Sequence, residues 1–146
     1  MITYVDTSTL LKRLLLEEGS DRADMIWTAA DLLVSAVPVI VEARAALAAA
    51  RRAGRLSATQ LRQAKVGLDG LIEELTLLEV TEALVCDAGD VAESDALRGY
   101  DALHLAAALA VGANVFTSAD GALCEAAERR GMHVADPLDP GPEAPE

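Results

Sequence analysis

The fold is decided by the stretch Ile-Thr-Tyr-Val-Asp-Thr-Ser-Thr at residues 2–9. Its first four residues are β-prone and stop at Asp6, and the three hydroxyl residues that follow can cap a helix. An apolar helix is then predicted from Leu10 to about Glu17. A second stretch of this kind, Asn-Val-Phe-Thr-Ser at residues 114–118, precedes a predicted helix over 120–130. Both stretches predict a buried strand that ends in a polar residue and continues into a helix.

The rest of the chain continues this alternation of short apolar strands and helices. Three further strands are predicted at 33–37, 76–81 and 132–135. The other helices are predicted up to Asp31 and over 39–53, 57–75, 82–97 and 100–111. Because parallel strands joined by helices form a sheet covered on both faces, we predict an α/β fold, a three-layer α/β/α sandwich with a short parallel central sheet. The domain should span residues 1–136, and residues 137–146, which hold four of the five prolines, should be a disordered tail.

Composition narrows the class of protein. Of the 146 residues, 52% are apolar but only 3% are aromatic, so leucine, alanine and valine must fill the core. The sequence contains no apolar run of the roughly 18 residues that a membrane span needs, and no signal-peptide pattern. We therefore expect a cytoplasmic protein without membrane contact. Cys86 and Cys124 lack metal-ligand spacing and are predicted to be reduced, buried thiols.

Four acidic residues occupy places where an α/β protein can bind a ligand. Asp6, Glu42 and Asp120 each follow a predicted strand, and ligands bind outside the carboxyl ends of parallel strands. Asp101 opens the helix after Gly99, so only tertiary packing can bring it to the other three. Each acid taken alone can also be explained as a helix-capping or first-turn residue, since helix N-termini favour negative charge.

Together the four acids indicate a cation site. Converging carboxylates repel one another unless a cation lies between them. Oxygen ligands without histidine or cysteine nearby favour a hard ion, Mg²⁺ or Mn²⁺. Such an ion bridges phosphate oxygens and lowers the pKa of a water molecule, which suits the hydrolysis of phosphate esters.

Three polar residues near these acids have two readings each. Ser8 and Ser118 can orient the attacking water, but helix capping and a strand-end hydroxyl explain them as well. Thr117 competes with Ser118 for the hydroxyl position after the fourth strand. His104 follows Asp101 by three residues and can face the site, although a hydrogen-bonded core histidine is the favoured interpretation.

The formal net charge of −12 argues against a nucleic-acid partner until its distribution is considered. Residues 44–65, here called the basic segment, contain six of the twelve basic residues and no acid. The six are Arg44, Arg51, Arg52, Arg55, Arg62 and Lys65. The basic segment is either a solvated helix face or a patch that guides phosphate, and the second reading requires the acids to be catalytic.

Four segments, read together, resemble the PIN-domain family and, within it, the VapC toxins of bacterial toxin–antitoxin pairs. They are Tyr-Val-Asp-Thr-Ser at 4–8, Glu42 after an apolar strand, Tyr-Asp-Ala-Leu-His-Leu-Ala at 100–106 and Phe-Thr-Ser-Ala-Asp at 116–120. The resemblance covers residues 1 to about 135, and the segment at 100–106 is its most specific part.

This resemblance implies an endoribonuclease that cleaves RNA with Mg²⁺ or Mn²⁺. The acids of its catalytic and metal site would be Asp6, Glu42, Asp101 and Asp120. Ser8 and Ser118 would assist them. If these acids are catalytic, the charge distribution rather than the resemblance makes Arg44, Arg51, Arg52 and Arg55 of the basic segment the residues expected to guide RNA. The resemblance also implies a homodimer, silenced by a VapB-type antitoxin whose basic arm would complement this acidic chain.

Other acidic α/β proteins fit the sequence less well. An aspartyl phosphatase needs a second aspartate two residues after Asp6, where this chain has Ser8. A receiver domain needs paired acids near the end of the first strand and a lysine late in the chain, but the last lysine here is Lys65. Two alternatives stay open: a catalytically silent PIN-like binding or structural module, and a nuclease that acts on DNA. No residue identifies a reader of the 2′-hydroxyl group, so RNA is preferred on the resemblance alone.

Overall fold

Strands and helices alternate along the chain as the apolar pattern predicts. The computed structural model describes residues 1–141, which form five strands and seven helices. The strands are β1 Ile2–Val5, β2 Leu32–Ala36, β3 Thr76–Leu78, β4 Val115–Thr117 and β5 His133–Ala135. The helices are α1 Thr7–Lys12, α2 Ser20–Ala29, α3 Val39–Arg52, α4 Ala58–Glu74, α5 Glu82–Asp95, α6 Gly99–Ala110 and α7 Gly121–Arg129.

The five strands form one sheet in the order β3-β2-β1-β4-β5, and all neighbours are parallel. Strand β1 lies in the centre, with Thr3 opposite Leu33 on one side and Val115 on the other. The chain adds β2 and β3 on one side of β1 and then crosses over to add β4 and β5 on the other. The order therefore reverses between β1 and β4, and parallel sheets bind ligands at the carboxyl ends of strands that flank such a reversal.

Side chains alternate between the two faces of the sheet and supply two separate cores. On one face Val5 and Leu33 pack with buried residues of α1 to α4. On the other face Tyr4 and Val34 pack with buried residues of α5 to α7. The predicted three-layer α/β/α architecture is thus confirmed, and β1 is held from both sides.

The predicted bounds of two elements were wrong: the helix predicted from Leu10 to about Glu17 is found at Thr7–Lys12, and the strand predicted at 76–81 is found at Thr76–Leu78. Helix α1 begins at Thr7 because the carbonyl of Asp6 accepts hydrogen bonds from the amides of Thr9 and Leu10, which places Asp6 at the helix cap. Strand β3 ends at Leu78 because the Thr81 hydroxyl accepts a hydrogen bond from the Leu84 amide and starts α5. Asp6, predicted to end the first strand, and Thr81, predicted to lie in the third strand, thus both serve as helix caps.

The cysteine prediction holds for one residue only. Cys124 is buried, whereas Cys86 is exposed on α5. The buried residues of this helix are Leu84, Ala88 and Val91, which recur at helical spacing and leave Cys86 on the solvent side. Within residues 1–141, no helix is long and apolar enough to cross a membrane.

The proline-rich end of the chain is described only in part. Residues 142–146, on which the predicted tail disorder partly rests, lie outside the described residues. Pro137 is buried, and its carbonyl oxygen lies 2.7 Å from where a Cβ atom at Gly19 would stand. Gly19 has a φ of 88°, so both its backbone conformation and this close approach favour glycine.

Candidate active site

The carboxyl edge of the sheet carries the four acids identified in the sequence, here called the acid cluster. Asp6 directly follows β1, and Asp120 lies just beyond β4 at the cap of α7. Glu42 and Asp101 lie in the first turns of α3 and α6. Three members were therefore placed correctly from the strand-then-helix order alone, and the packing of α6 against the sheet brings Asp101 to them.

Asp6 is the most deeply placed member of the acid cluster, with 5% of its surface exposed. Its Oδ2 atom accepts hydrogen bonds from the hydroxyls of Ser8 and Ser118, each at 2.8 Å. The backbone amide of Asp6 donates to the Thr117 carbonyl at 3.0 Å, which extends the pairing of β1 with β4 and sets Asp6 beside Ser118. The orientation of this carboxylate is thus fixed by two hydroxyl groups from two segments of the chain.

The structure distinguishes the two hydroxyl residues that compete at the end of β4. The Thr117 hydroxyl donates to the Ala135 carbonyl at 2.7 Å and lies 3.0 Å from the Thr9 hydroxyl. It points away from the acid cluster, whereas the Ser118 hydroxyl donates to Asp6 and accepts from the Asp120 amide at 3.0 Å. Ser118 is therefore the hydroxyl residue that contacts the acids.

His104 contacts the acid cluster more directly than its sequence position predicts. Its Nε2 atom lies 2.5 Å from Oε1 of Glu42 and 3.9 Å from Oδ1 of Asp6, and the residue is fully buried. The predicted hydrogen-bonded core histidine is thus found, but the expectation that no histidine lies near the acids was wrong. The ring's other nitrogen, Nδ1, lies 2.6 Å from the hydroxyl of Tyr4.

Tyr4 was missed as a residue of this site, although the sequence contains a signal for it. Tyr4 precedes Asp6 by two residues on an extended segment, and His104 follows Asp101 by three residues on a helix. Both spacings place the partner on the same face as the acid. The sequence spacing does not give the distance between this face of β1 and this face of α6, because that distance is set by the packing of α6 on β1.

The electrostatics of Asp101 show that the four acids act on one another. Burial is the main cause that raises the pKa of this carboxyl group, and the charges of Asp6 and Asp120 raise it further. Glu42 adds a smaller effect in the same direction, while His104 opposes it. The other three acids are therefore close enough to Asp101 for their charges to disfavour its ionisation.

His104 partly offsets this repulsion. Burial lowers the pKa of its imidazole, but the hydrogen bond to Glu42 and the charges of Asp6 and Asp101 outweigh burial, and the net shift is upward. The neighbouring carboxylates therefore stabilise the protonated form of this ring relative to a free imidazole.

The donor chemistry of the acid cluster fits a hydrated hard cation better than a closed metal cage. In residues 1–141, no three histidine, cysteine, aspartate or glutamate side chains converge closely enough to enclose an ion by themselves. Mg²⁺ commonly keeps several waters and takes only one or two protein carboxylates directly. Burial, followed by nearby carboxylates, raises the pKa of the Cys124 thiol to about 12, so this neighbour stays protonated and offers no thiolate ligand.

The predicted RNA-guiding arginines are exposed but are not next to the acids. Arg51 and Arg52 end α3, nine or more residues after Glu42, which is roughly 13 Å along a helix axis. Arg44 lies two residues after Glu42 and therefore on another face of α3. Arg55 pairs with Glu17 at 3.2 Å.

A large apolar groove of about 1120 Å³ opens beside the acid cluster and does not include it. It lies between the start of α3, the length of α5 and the start of α6, and we call it the apolar groove. Its most exposed apolar side chains are Val41, Val85 and Tyr100. Within residues 1–141, Glu79 is the only charged residue that lines it.

Comparison with known proteins shows which protein family and which relatives this chain matches. The family model described as the PIN domain matches residues 3–129. Ribonuclease VapC45 of Mycobacterium tuberculosis (strain CDC 1551 / Oshkosh) is 39% identical over 111 residues, which are 76% of this chain and 77% of that protein. Ribonuclease VapC49 of M. tuberculosis strain H37Rv matches with the same figures.

Solved structures share the fold at low sequence identity. PAE2754 from Pyrobaculum aerophilum superposes with a TM-score of 0.69 at 21% identity, covering 92% of this chain and 90% of the other. VapC20 of M. tuberculosis, a sarcin–ricin loop cleaving toxin, gives 0.67 at 19% identity over 89% and 95%. VapBC2 from Rickettsia felis, bound to a DNA fragment from its promoter, gives 0.63 at 13% identity over 93% and 98%.

The raised pKa of Asp101 predicts a pH-dependent loss of stability. The folded chain binds this proton more tightly than the unfolded chain, so the free energy of unfolding falls as pH rises through the folded-state pKa. Asp101→Asn should therefore raise the Tm in metal-free buffer at neutral pH, by on the order of 2 °C. The gain should disappear below about pH 4, where the aspartate is protonated in both states.

Thermal unfolding followed by circular dichroism at several pH values measures this effect. Asp69→Asn, on the exposed face of α4, is the matched control and should leave the Tm unchanged across the same range. An Asp101→Asn gain of equal size at acidic and neutral pH would show that the change acts through packing and not through charge.

Proposed function

Because this chain belongs to the PIN-domain family and, within it, groups with the VapC ribonucleases, we propose that it is a metal-dependent endoribonuclease acting as the toxin of a type II toxin–antitoxin pair. The observation that carries the proposal is the acid cluster, which lies at the point where the strand order of the sheet reverses. Its four acids lie at that edge of the sheet, and Asp6 is held in place by Ser8 and Ser118.

The residues that would hold Mg²⁺ or Mn²⁺ are Asp6, Glu42, Asp101 and Asp120. When bound, such an ion neutralises phosphate charge and lowers the pKa of water for attack on a phosphodiester. The chain itself supplies orientation: Ser8 and Ser118 fix the Asp6 carboxylate, and His104 contacts Glu42. Asp120 accepts a hydrogen bond from the Leu123 amide through Oδ1, which restricts its side chain at the cap of α7.

The different exposure of the acids indicates the side from which a phosphate group can approach the acid cluster. Asp6 forms the floor of the site, Asp101 is half-buried, and Asp120 is exposed at the rim. A phosphate group that enters from the side of Asp120 meets several negative charges before it reaches Asp6. Because negative charges repel one another strongly in a partly desolvated site, phosphate binding requires a cation in the acid cluster.

RNA is the preferred substrate because the relatives that are 39% identical over three quarters of the chain are named ribonucleases. A silent PIN-like module is less well supported, since all four acids are present and share one electrostatic field. A nuclease acting on DNA would use the same acid cluster, so substrate preference must be measured directly.

The proposed activity predicts cleavage of an RNA oligonucleotide that depends on both the metal ion and Asp6. The purified chain, freed of any antitoxin, should cleave with Mg²⁺ or Mn²⁺ and stop on addition of a chelator. Asp6→Asn should reduce the rate by at least about 100-fold, because the deepest carboxylate is removed. Asp69→Asn, an acid outside the cluster, is the control and should cleave at the wild-type rate.

Three results would contradict parts of this proposal separately. Equal cleavage with and without chelator would exclude the metal-dependent chemistry. Equal cleavage of a DNA oligonucleotide of the same sequence would favour the DNA alternative. Binding of RNA without cleavage under any metal condition would favour the silent module.

The basic segment is proposed to guide RNA toward the acid cluster from a distance. Arg51 and Arg52 lie at the end of α3 and are exposed, so they can contact the backbone of a substrate that extends beyond the site. Because counterions are released when a protein neutralises phosphates, the slope of log affinity against log salt changes by about 0.7 for each phosphate of single-stranded RNA that is neutralised.

Fluorescence anisotropy on the cleavage-inactive Asp6→Asn chain tests this role in Mg²⁺ at several salt concentrations. Replacing Arg51 and Arg52 with glutamine should weaken RNA binding and flatten the salt slope by about 1 to 1.5 in total. Arg22→Gln on α2 serves as the control and should leave the slope unchanged. If the Arg51 and Arg52 variant shows an unchanged salt slope, the basic segment is a solvated helix face and does not guide RNA.

Two protein partners complete the proposed function. The VapBC2 structure from R. felis shows that a neighbour of this fold has been solved as a complex with promoter DNA. We infer a VapB-type antitoxin with a basic arm, which would complement the acid cluster and the net charge of −12. We also infer a homodimer that covers the apolar groove, because contiguous exposed apolar surface of this kind marks an interaction site.

The homodimer proposal predicts that a charge in the apolar groove dissociates the chain. Val85→Asp should convert a dimer to a monomer in sedimentation equilibrium, since the carboxylate would be desolvated at the interface. Val66→Asp on α4 lies outside the groove and is more exposed, so it should leave the dimer intact. A monomeric wild-type chain, or a Val85→Asp chain that remains a dimer, would refute this use of the groove.

A further inference from the structure

We propose that His104 and Tyr4 are positioning residues that hold the Glu42 carboxylate within the acid cluster. The inference rests on the proposed function, because it assigns a role relative to the metal-dependent site. It concerns two residues whose side chains are fully buried and which take no direct part in the proposed cleavage.

The three side chains form one continuous hydrogen-bonded chain. The Tyr4 hydroxyl lies 2.6 Å from Nδ1 of His104, and Nε2 of His104 lies 2.5 Å from Oε1 of Glu42. A carboxylate can only accept hydrogen bonds, so Nε2 must carry a hydrogen atom whatever the charge of the ring. The Tyr4 hydroxyl can donate to Nδ1 and thereby favour the tautomer that donates to Glu42.

Packing fixes the position of both rings. Tyr4 stacks on Phe116, with an angle of 2° between the ring planes and 5.5 Å between the ring centroids. The His104 ring meets Tyr4 edge-on, at 67° and 5.7 Å. Since Tyr4 and Phe116 lie on the adjacent strands β1 and β4, the imidazole rests against the middle of the sheet.

The hydrogen bond to Glu42 joins two layers of the fold. Helix α3, which carries Glu42, packs on one face of the sheet, while α6, which carries His104, packs on the other. Glu42 is itself only partly buried and has three rotatable side-chain bonds, so it needs an anchor to keep one orientation. His104 supplies that anchor from across the sheet edge.

Core filling alone does not account for a histidine at this position. Residues 102–108 of α6 are all buried, and His104 is the only polar residue among them. Burying an imidazole and a carboxylate partner is less favourable than burying apolar side chains of similar size. Partners that orient the side chains of a metal site, by contrast, typically change metal affinity or activity by roughly 10- to 100-fold when they are removed.

Three substitutions separate positioning from packing. In His104→Gln the side-chain amide nitrogen can take the place of Nε2, whereas in His104→Asn it can take only the place of Nδ1. His104→Leu removes both donors and keeps an apolar core. We expect Asn and Leu to weaken Mn²⁺ binding and lower kcat by roughly 10- to 100-fold, with Gln close to wild type. At Mn²⁺ concentrations that saturate each variant, the KM for RNA should stay within about threefold, since the basic segment is unchanged.

Mn²⁺ affinity is measured on the full chain by electron paramagnetic resonance of the free ion, which needs no RNA cleavage. Equal losses of affinity in the Gln and Asn variants, or no loss in any variant, would overturn the positioning role. Tyr4→Phe retains the ring stack and removes only the hydroxyl, so it should give a smaller loss of affinity than His104→Asn.

Nitrogen-15 resonances of the His104 ring decide the matter even if the core variants do not fold. The wild-type chain should show a hydrogen on Nε2, with a resonance that shifts in Glu42→Gln, and the Nδ1 resonance should shift in Tyr4→Phe. A wild-type ring without a hydrogen on Nε2 would overturn the proposal. Because this spectrum does not depend on catalysis, a chain that shows it but cleaves no RNA would refute the proposed function and leave the hydrogen-bonded chain standing.

Discussion

Repulsion among four carboxylates at one edge of the sheet is the constraint on which the rest of this site depends. The fold reduces this repulsion by supplying hydrogen-bond donors to three of the four acids. Hydroxyl groups of Ser8 and Ser118 bind Asp6, the imidazole of His104 binds Glu42, and the first turn of α7 binds Asp120. The remaining acid, Asp101, carries a raised pKa. Burial is the main cause of this shift and the charges of the other acids add to it, so a cation beside Asp101 would lower its pKa.

Such a concentration of charge needs a rigid support, and the central strands provide it. β1 is paired on both sides and packed on both faces, so the backbone that carries Asp6 cannot move away from its neighbours. The reversal of strand order beside β1 leaves room at the carboxyl edge, because no connection crosses there. Stability and function therefore use the same strands, with apolar side chains in the sheet and polar ones immediately beyond its end.

The limits of sequence-based prediction follow from this division. Asp6, Glu42 and Asp120 were placed correctly because each depends on a local signal, a strand that ends before a helix. Asp101 depended on the resemblance, since its helix reaches the cluster only through packing. Tyr4 was missed because its contact with His104 depends on the packing of α6 on the sheet. The contact of His104 with Glu42 was missed because it joins helices on opposite faces of the sheet, and no local spacing encodes that distance. The early start of α1 was missed because Asp6 occupies the helix cap and the acid cluster at once.

The strongly acidic character of the chain becomes an advantage in the proposed function. Phosphate is repelled by the acid cluster unless a cation is present, so an ion would control access to the site as well as the chemistry within it. A basic arm of an antitoxin would be drawn to the same field and would need no metal ion to bind. Cation-dependent substrate binding and cation-independent inhibition would then compete for one set of carboxylates. The inhibitor would be favoured by the same repulsion that makes the empty cluster unfavourable for RNA.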